Sequence, residues 1–255
     1  MEEIIRSGNA SYILYEELLL KKENLRREAN QYYDEYLREF GELLTEAFLK
    51  KIECIRKKKI IAYCQKCVNL GKKIRASEME AAVRREMEEY EQSLKQLKES
   101  VRNARDARLV SREDARRIKE IYYRLARMIH PDMRPDLAED SVLQGYWNRI
   151  VIAYRCNHLQ ELEELETLVN SRLEKQGISC GMHIIPGIEE KIRQLEKEIE
   201  RILSTSPYTY RFDLTDDRKR TKRREELQKE SREYEQYSGE LSEILNSFPI
   251  QEMYA

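Results

Sequence analysis

The strongest constraint on this chain is that Pro131 is its first proline. Proline ends or kinks a helix because its ring fixes φ and it has no amide hydrogen to donate. Ahead of it, apolar residues recur three and four positions apart, the spacing of one helix face. This spacing is kept by Tyr33, Leu37, Phe40, Leu44, Phe48, Ile52 and Ile55. We therefore predict a nearly continuous helix from Ala10 to about Leu70, ended by Gly71.

The following stretch predicts a second long helix, which begins at a capping-box pattern formed by Ser77 and Glu80. Its apolar residues form a heptad seam: Val83, Met87, Tyr90, Leu94, Leu97, Val101 and Ala104. A helix with such a seam packs it against a partner, and the nearest one is the preceding helix, running antiparallel. Charged residues make up 37% of the chain and the mean hydropathy is −0.80, which favours solvent-bathed helices with narrow apolar seams. We predict an all-α fold of long antiparallel coiled-coil hairpins flanking a shorter helical hairpin.

The C-terminal part carries two further seams. One contains Ile188, Ile192, Leu195, Ile199 and Ile202, and the other contains Leu227, Tyr234, Tyr237, Leu241, Ile244 and Phe248. We predict that these two helices form an antiparallel hairpin around a loop at 204–217. Alternation in twos at 178–185 and 208–214 predicts a pair of short strands. The expected domains are an N-terminal stalk at 1–110, a central segment at 111–172 and a C-terminal hairpin at 173–255.

The central segment contains a helix that ends at His130-Pro131-Asp132. Ser111 and Asp114 fit a capping box at its start, and its apolar face carries Ile118, Ile121, Tyr122, Leu125 and Ile129. Its basic residues are Arg116, Arg117, Lys119, Arg124 and Arg127. A second helix is expected from the early 140s, capped by Asp136 or Asp140, and it continues through Leu159, Leu162, Leu165 and Val169. This arrangement predicts a hairpin with an imidazole, a proline and a carboxylate exposed at its tip.

These residues resemble a known family. The run from Tyr122 to Asp132, followed by Trp147, Ile150, Ala153 and Tyr154, is similar to helices II and III of a J domain, the module of DnaJ-type co-chaperones. The resemblance covers the segment at 111–172. It implies a core formed by Ile118, Tyr122, Leu125, Ala126, Trp147, Ile150, Ala153 and Tyr154.

The resemblance also implies a function, which is to dock on a DnaK-type heat-shock chaperone and stimulate its ATP hydrolysis. The implied partner-binding residues are His130, Pro131, Asp132, Arg116, Arg117, Lys119, Arg124 and Arg127. Catalysis by His130 and Asp132 themselves would need a pocket and a converging third group, which the sequence does not indicate. We therefore expect a non-enzyme without cofactor or metal, and the sequence does not identify the client protein.

Two alternatives remain open. A structural coiled-coil scaffold with a degenerate J domain is suggested by the non-basic Met128 and by the absence of a recognisable first helix before Ser111. A nucleic-acid-binding helical protein is suggested by the segment 50–75, which holds ten Lys or Arg residues and one acid, Glu53. The segment 78–99 carries seven acids against four bases. Mutual neutralisation within the predicted hairpin is therefore favoured, and nucleic-acid binding is not expected.

Metal binding, membrane insertion and secretion are not expected. Cys64 and Cys67 together with Cys180 and His183 would supply the four ligands of a zinc site. The two pairs, however, lie far apart in sequence, and the first pair sits in a helical pattern. The N-terminus is too acidic for a signal peptide, and no apolar run is long enough for a membrane span. An odd number of cysteines, five, suits a reducing cytoplasm. Heptad seams serve one chain or two equally well, so a homodimer through the coiled coil stays open.

Overall fold

The structure is a computed structural model that describes residues 2–106, 110–178, 185 and 187–251, and the side chains among them from residue 10 to residue 250. It confirms the predicted all-α fold. The α-helices are α1 Glu2–Asn69, α2 Ala76–Asp106, α3 Arg112–Ile129, α4 Ser141–Arg155, α5 Leu159–Gln176, α6 Ile188–Ser204, α7 Arg211–Leu214 and α8 Asp217–Asn246. Two short strands, β1 Ile74–Arg75 and β2 Ile250–Gln251, and two 3-10 turns, Pro135–Leu137 and Tyr208–Tyr210, complete the described elements.

The chain folds into two compact units built from separated stretches. The first unit contains Met1–Tyr33 and Arg108–Tyr210, and the second contains Asp34–Ala107 and Arg211–Ala255. Helix α1 contributes its first part to one unit and its second part to the other. The sequence predicted three consecutive segments instead, with boundaries after residues 110 and 172.

In the first unit, α3, α4 and α5 pack together around one buried cluster. The expectation that the second helix of the hairpin runs on to Val169 is wrong, because α4 ends at Arg155 and α5 begins at Leu159. Asn157 has a φ of 56°, a left-handed conformation that asparagine tolerates better than most residues. The His158 amide donates to the Ala153 carbonyl at 2.8 Å and closes the turn. The chain therefore reverses here, and the apolar face of α5 packs against α3 and α4.

Helix α4 begins at Asp140, one of the two caps expected from the sequence. Its Oδ1 accepts hydrogen bonds from the amides of Val142 and Leu143 at 3.0 and 3.2 Å. Its Oδ2 accepts from Gln176 and Arg172 of α5. The bond from Gln176, with those from the Leu143 amide and Arg172, lowers the pKa of Asp140 to about 2. One carboxylate therefore both caps α4 and fixes the end of α5.

The first part of α1 packs against α6 in the same unit. Tyr12, Tyr15 and Leu19 share a buried cluster with Ile192 and Leu195, and further along Leu25 and Ala29 share one with Ile199. Later residues of α1 meet later residues of α6, so the two helices run parallel.

In the second unit, α2 packs antiparallel to α1, as the sequence predicted. Lys59 Nζ lies 2.6 Å from Glu86 Oε2, whereas Arg38 Nε, earlier in α1, donates to the Ala104 carbonyl later in α2 at 2.8 Å. Gly41 lies directly against Val101. The hairpin seam therefore forms within one chain.

Helix α8 runs parallel to α1 in this unit. Ser231, Glu235 and Ser238 contact Glu46, Lys50 and Glu53, and each pair is separated by 185 residues. A constant difference in residue number means that both helices advance in the same direction. The predicted hairpin between α6 and α8 is therefore wrong, since each packs on a different part of α1. A heptad seam specifies that a helix has a partner, without specifying which one.

The predicted strand at 208–214 is not observed. Residues 208–214 form the 3-10 turn and α7, and most of 178–185 lies outside the described residues. The strands that do form lie in the second unit, where Ile74 and Arg75 pair in parallel with Ile250 and Gln251. Because each strand has only two residues, the sequence contains no apolar–polar alternation by which the strands could be predicted.

The close contact at Gly41 yields a test of the α1–α2 packing. A Cβ added at Gly41 would lie 2.7 Å from both Cγ atoms of Val101, so Gly41→Ala should lower the free energy of unfolding by about 1–3 kcal/mol. The same change at Gly239 of α8 meets nothing within 4 Å and should raise it by roughly 0.5–1 kcal/mol, the usual gain in a helix. Urea denaturation of both variants measures the difference. Equal effects of the two substitutions would contradict the packing.

Candidate docking site at the His-Pro-Asp turn

The turn after α3 is defined by its backbone hydrogen bonds. Ser111 caps the start of the helix, where its Oγ accepts from the Asp114 amide at 3.0 Å. At the other end His130 adopts φ −60° and ψ 125°, the extended conformation that a residue before proline prefers. Its carbonyl accepts from the amides of Met133 and Arg134 at 2.9 and 2.8 Å. Pro131 therefore ends the helix and a tight turn follows.

The imidazole of His130 is buried, with 9% of the residue exposed. Its ring packs edge-on against Trp147, with centroids 4.6 Å apart, and its Nδ1 accepts from the Asp132 amide at 3.0 Å. The expectation that this imidazole is exposed is therefore wrong. Pro131 is half-buried, and Asp132 is exposed as expected.

Burial governs the charge of His130. Desolvation lowers its pKa from the ordinary 6.5 to about 4, the Asp132 carboxylate opposes that shift, and Lys22 adds to it. The imidazole is therefore neutral near pH 7. Its Nδ1 acts as a hydrogen-bond acceptor, and this leaves the proton on Nε2.

Helix α1 covers one side of the turn. Burial of the Tyr15 hydroxyl raises the pKa of Tyr15, and the nearby Asp132 carboxylate raises it further. Met133 is completely buried in the cluster formed by Tyr12, Tyr15, Leu19, Ile192 and Leu195. Glu16 forms an ion pair with Arg127 at the end of α3. Met133, the residue after the tripeptide, therefore anchors the turn to α1 and α6.

The basic residues of α3 have partners within the chain. Arg124 makes two bonds to Glu166 of α5, at 2.7 and 3.1 Å, and Arg117 pairs with Glu163. Arg116 lies 3.8 Å from Glu120, and Lys119 lies over the Tyr123 ring. The arginines are exposed, and ion pairs between exposed groups contribute little. These side chains can therefore exchange their partners for those of another protein.

The core residues implied by the resemblance all lie in the buried cluster of the first unit. Tyr122 stacks on Tyr154 with ring centroids 3.9 Å apart and lies 5.8 Å from Trp147. The cluster contains Ile118, Tyr122, Leu125, Ala126, Trp147, Ile150, Ala153 and Tyr154. Leu20 of α1 joins the same cluster.

Arg134 is a residue that the sequence reasoning missed. It is 1% exposed, and its guanidinium donates to both carboxylate oxygens of Asp136, at 3.0 and 2.8 Å, and to the Met128 carbonyl at 3.2 Å. Because planar bidentate pairs are geometrically specific, Arg134 fixes the turn to the last residues of α3. Its signal in the sequence is an arginine and an aspartate on either side of Pro135.

Of the four candidate zinc ligands, the structure describes Cys64 and Cys67. Cys64 and Cys67 are buried, the Cys64 Sγ lies 3.7 Å from Met79 Sδ, and burial raises the pKa of Cys64. Cys180 and His183 lie outside the described residues. Within the part of the chain that the structure describes, no cluster of three or more metal-binding side chains occurs.

The basic segment 50–75 is neutralised in part as expected. Lys59 pairs with Glu86 of α2. Lys50 and Lys57, however, pair with Glu46 and Glu53 of their own helix and also contact α8. The parallel helix α8 therefore provides partners that the sequence reasoning had assigned to α2.

Comparison with known proteins gave no relatives: no protein-family model, no curated protein and no solved structure matches this chain. Among the described residues, no helix has the length and apolar character needed to cross a membrane.

The buried imidazole predicts a pH dependence of stability. The unfolded chain takes up a proton at His130 from about pH 6.5 and the folded chain only near pH 4. This contribution to stability is therefore complete above pH 6.5 and falls by up to about 3 kcal/mol as the pH drops towards 4. Urea denaturation across this range should show a shallower pH dependence for His130→Gln than for the wild type. His158→Gln, the same substitution at an exposed histidine, serves as the control.

Proposed function

We propose that this protein is a J-domain-like co-chaperone, which docks on a DnaK-type chaperone through Asp132, Pro131 and the basic face of α3 and stimulates its ATP hydrolysis. On this proposal it has no catalytic residues of its own and needs no cofactor. It would act in the cytoplasm on a client that its sequence does not identify.

The observation that carries the proposal is the exposed carboxylate of Asp132 at the end of a basic helix. A carboxylate in a stiff turn suits a bidentate contact with an arginine of a partner, because little disorder is lost on binding. The exposed Arg116, Arg124 and Arg127 extend the surface with positive charge, which steers an acidic partner. Buried His130 has a structural part in this proposal, since its Nδ1 holds the Asp132 amide.

On this proposal, docking requires α1 to move away from the turn. The Tyr15 hydroxyl lies near the Asp132 carboxylate, and Glu16 forms an ion pair with Arg127. We propose that the chaperone competes with these contacts, so that docking requires residues 12–19 of α1 to leave the turn. While α1 lies on the turn, the protein would then stimulate ATP hydrolysis by the chaperone only weakly.

Single-turnover ATP hydrolysis by the cognate DnaK-type chaperone tests both statements. Wild-type protein should accelerate hydrolysis, and Asp132→Asn should abolish most of the acceleration. Tyr15→Phe removes the hydroxyl that interacts with Asp132, so stimulation at limiting protein should rise roughly two- to tenfold, the equivalent of about 0.5–1.5 kcal/mol for one polar contact. Tyr12→Phe, a matched change one helical turn earlier in the same cluster, should leave stimulation at the wild-type level.

The outcomes separate the two statements. Absence of stimulation by the wild type and by both tyrosine variants, or full stimulation by Asp132→Asn, would contradict the docking function. Stimulation that responds to Asp132→Asn but is equal in Tyr15→Phe and the wild type would contradict only the cover.

A structural scaffold with a degenerate J-like segment is the second candidate. It is favoured by the intramolecular ion pairs of Arg117, Arg124 and Arg127 and by the burial of His130. Chemical-shift mapping with the chaperone separates the candidates. Shifts at the turn and along α3 support docking, and an unchanged spectrum supports the scaffold.

A further inference from the structure

A cleft of about 640 Å³ lies in the first unit, away from the His-Pro-Asp turn in sequence. Arg26 and Asn30 of α1, Arg155 at the end of α4, and Arg201 at the end of α6 line it, together with Ser206 and Tyr208 of the following turn. Its volume falls within the range of small-molecule sites, which is about 300–1,000 Å³. Three arginines from three helices thus line one concave surface.

Positive charge exceeds negative charge around this cleft. Arg26 and Arg155 share the buried carboxylate of Glu23, and Arg26 also reaches Glu198 at 3.3 Å. Lys22 lies 3.6 Å from the same Glu198. Two carboxylates therefore serve three cations. Arg201 is exposed and makes no ion pair with any residue that the structure describes, which adds a further uncompensated charge.

Arg27, the residue after Arg26, is a buried cation. Arg27 is 6% exposed, its Nε donates to Asn157 Oδ1 at 2.7 Å, and its guanidinium lies over the Tyr154 ring at 5.0 Å. Both of these partners are neutral, so the charge of Arg27 is not cancelled by them. In a low-dielectric environment such a charge raises the positive potential of the neighbouring surface.

Arg155 has an unused donor. Its Nη2 donates to Glu23 at 3.2 Å, but its Nε is buried and has no hydrogen-bond partner among the described residues. Buried N–H groups normally have partners, and an orphaned one calls for an explanation. Because this Nε has almost no accessible surface, an acceptor in the cleft would reach it only after the Arg155 side chain rotates.

We propose that this cleft is a binding site for a small organic phosphate monoester. The planar guanidinium groups match the oxygens of a phosphate dianion, and Asn30 and Ser206 add neutral polar groups at the rim. Ile202, Pro207 and Tyr208 line the cleft beside them and suit the organic part of the ligand. The site is independent of the docking function, since it uses none of the residues assigned to docking.

Titration of the intact protein with phenyl phosphate, followed by amide chemical shifts, tests the site. Saturable shifts are expected at 26–30, 201–202 and 205–208, and phenol, which lacks the dianion, should cause none of them. Arg201→Gln should weaken binding by about five- to tenfold, which lies within the usual range for the loss of one hydrogen bond. Arg193→Gln, at an exposed arginine of the same helix outside the cleft, should leave the affinity unchanged.

Arg155→Gln is a second variant, and it should also weaken binding. Because it leaves Glu23 with one partner fewer, its fold is checked by the spectrum of the free protein. The proposal is overturned if the shifts do not saturate, if phenol produces the same shifts, or if Arg201→Gln and Arg193→Gln weaken binding alike.

Discussion

The packing of α1 is the constraint on which the rest of the structure depends. A 68-residue helix cannot bury its own apolar seams, so other elements have to cover them. Its first part is covered by α6 and by the α3–α5 cluster, and its second part by α2 and α8. Both units therefore contain α1 residues, and neither is a continuous stretch of sequence.

This constraint also explains the state of the His-Pro-Asp turn. The tripeptide ends α3 by its own chemistry, but the residue that follows, Met133, is apolar and is buried against α1 and α6. With Met133 buried there, Tyr15 lies near Asp132, and burial of the His130 imidazole beside Trp147 lowers its pKa to about 4. Residues 130–133 therefore both end α3 and hold the turn against α1.

Local features of the fold could be predicted from the sequence, and partner choice could not. Periodicity placed the end of α1 at Leu70, one residue beyond the observed Asn69, and polar patterns located the caps at Ser111 and Asp140. The break between α4 and α5 was missed because Leu159 and Leu162 continue the helical period across Asn157. The burial of the His130 imidazole depends on how α4 brings Trp147 against it, and the sequence gives no local signal for that contact.

Photo-crosslinking tests the central claim, that α1 lies on the turn of its own chain, most directly. A benzoylphenylalanine in place of Glu16, in a mixture of isotopically light and heavy protein, reports both the segment reached and the chain to which it belongs. The account predicts crosslinks to residues 124–134 within single-isotope species. Crosslinks to other segments, or between light and heavy chains, would contradict it.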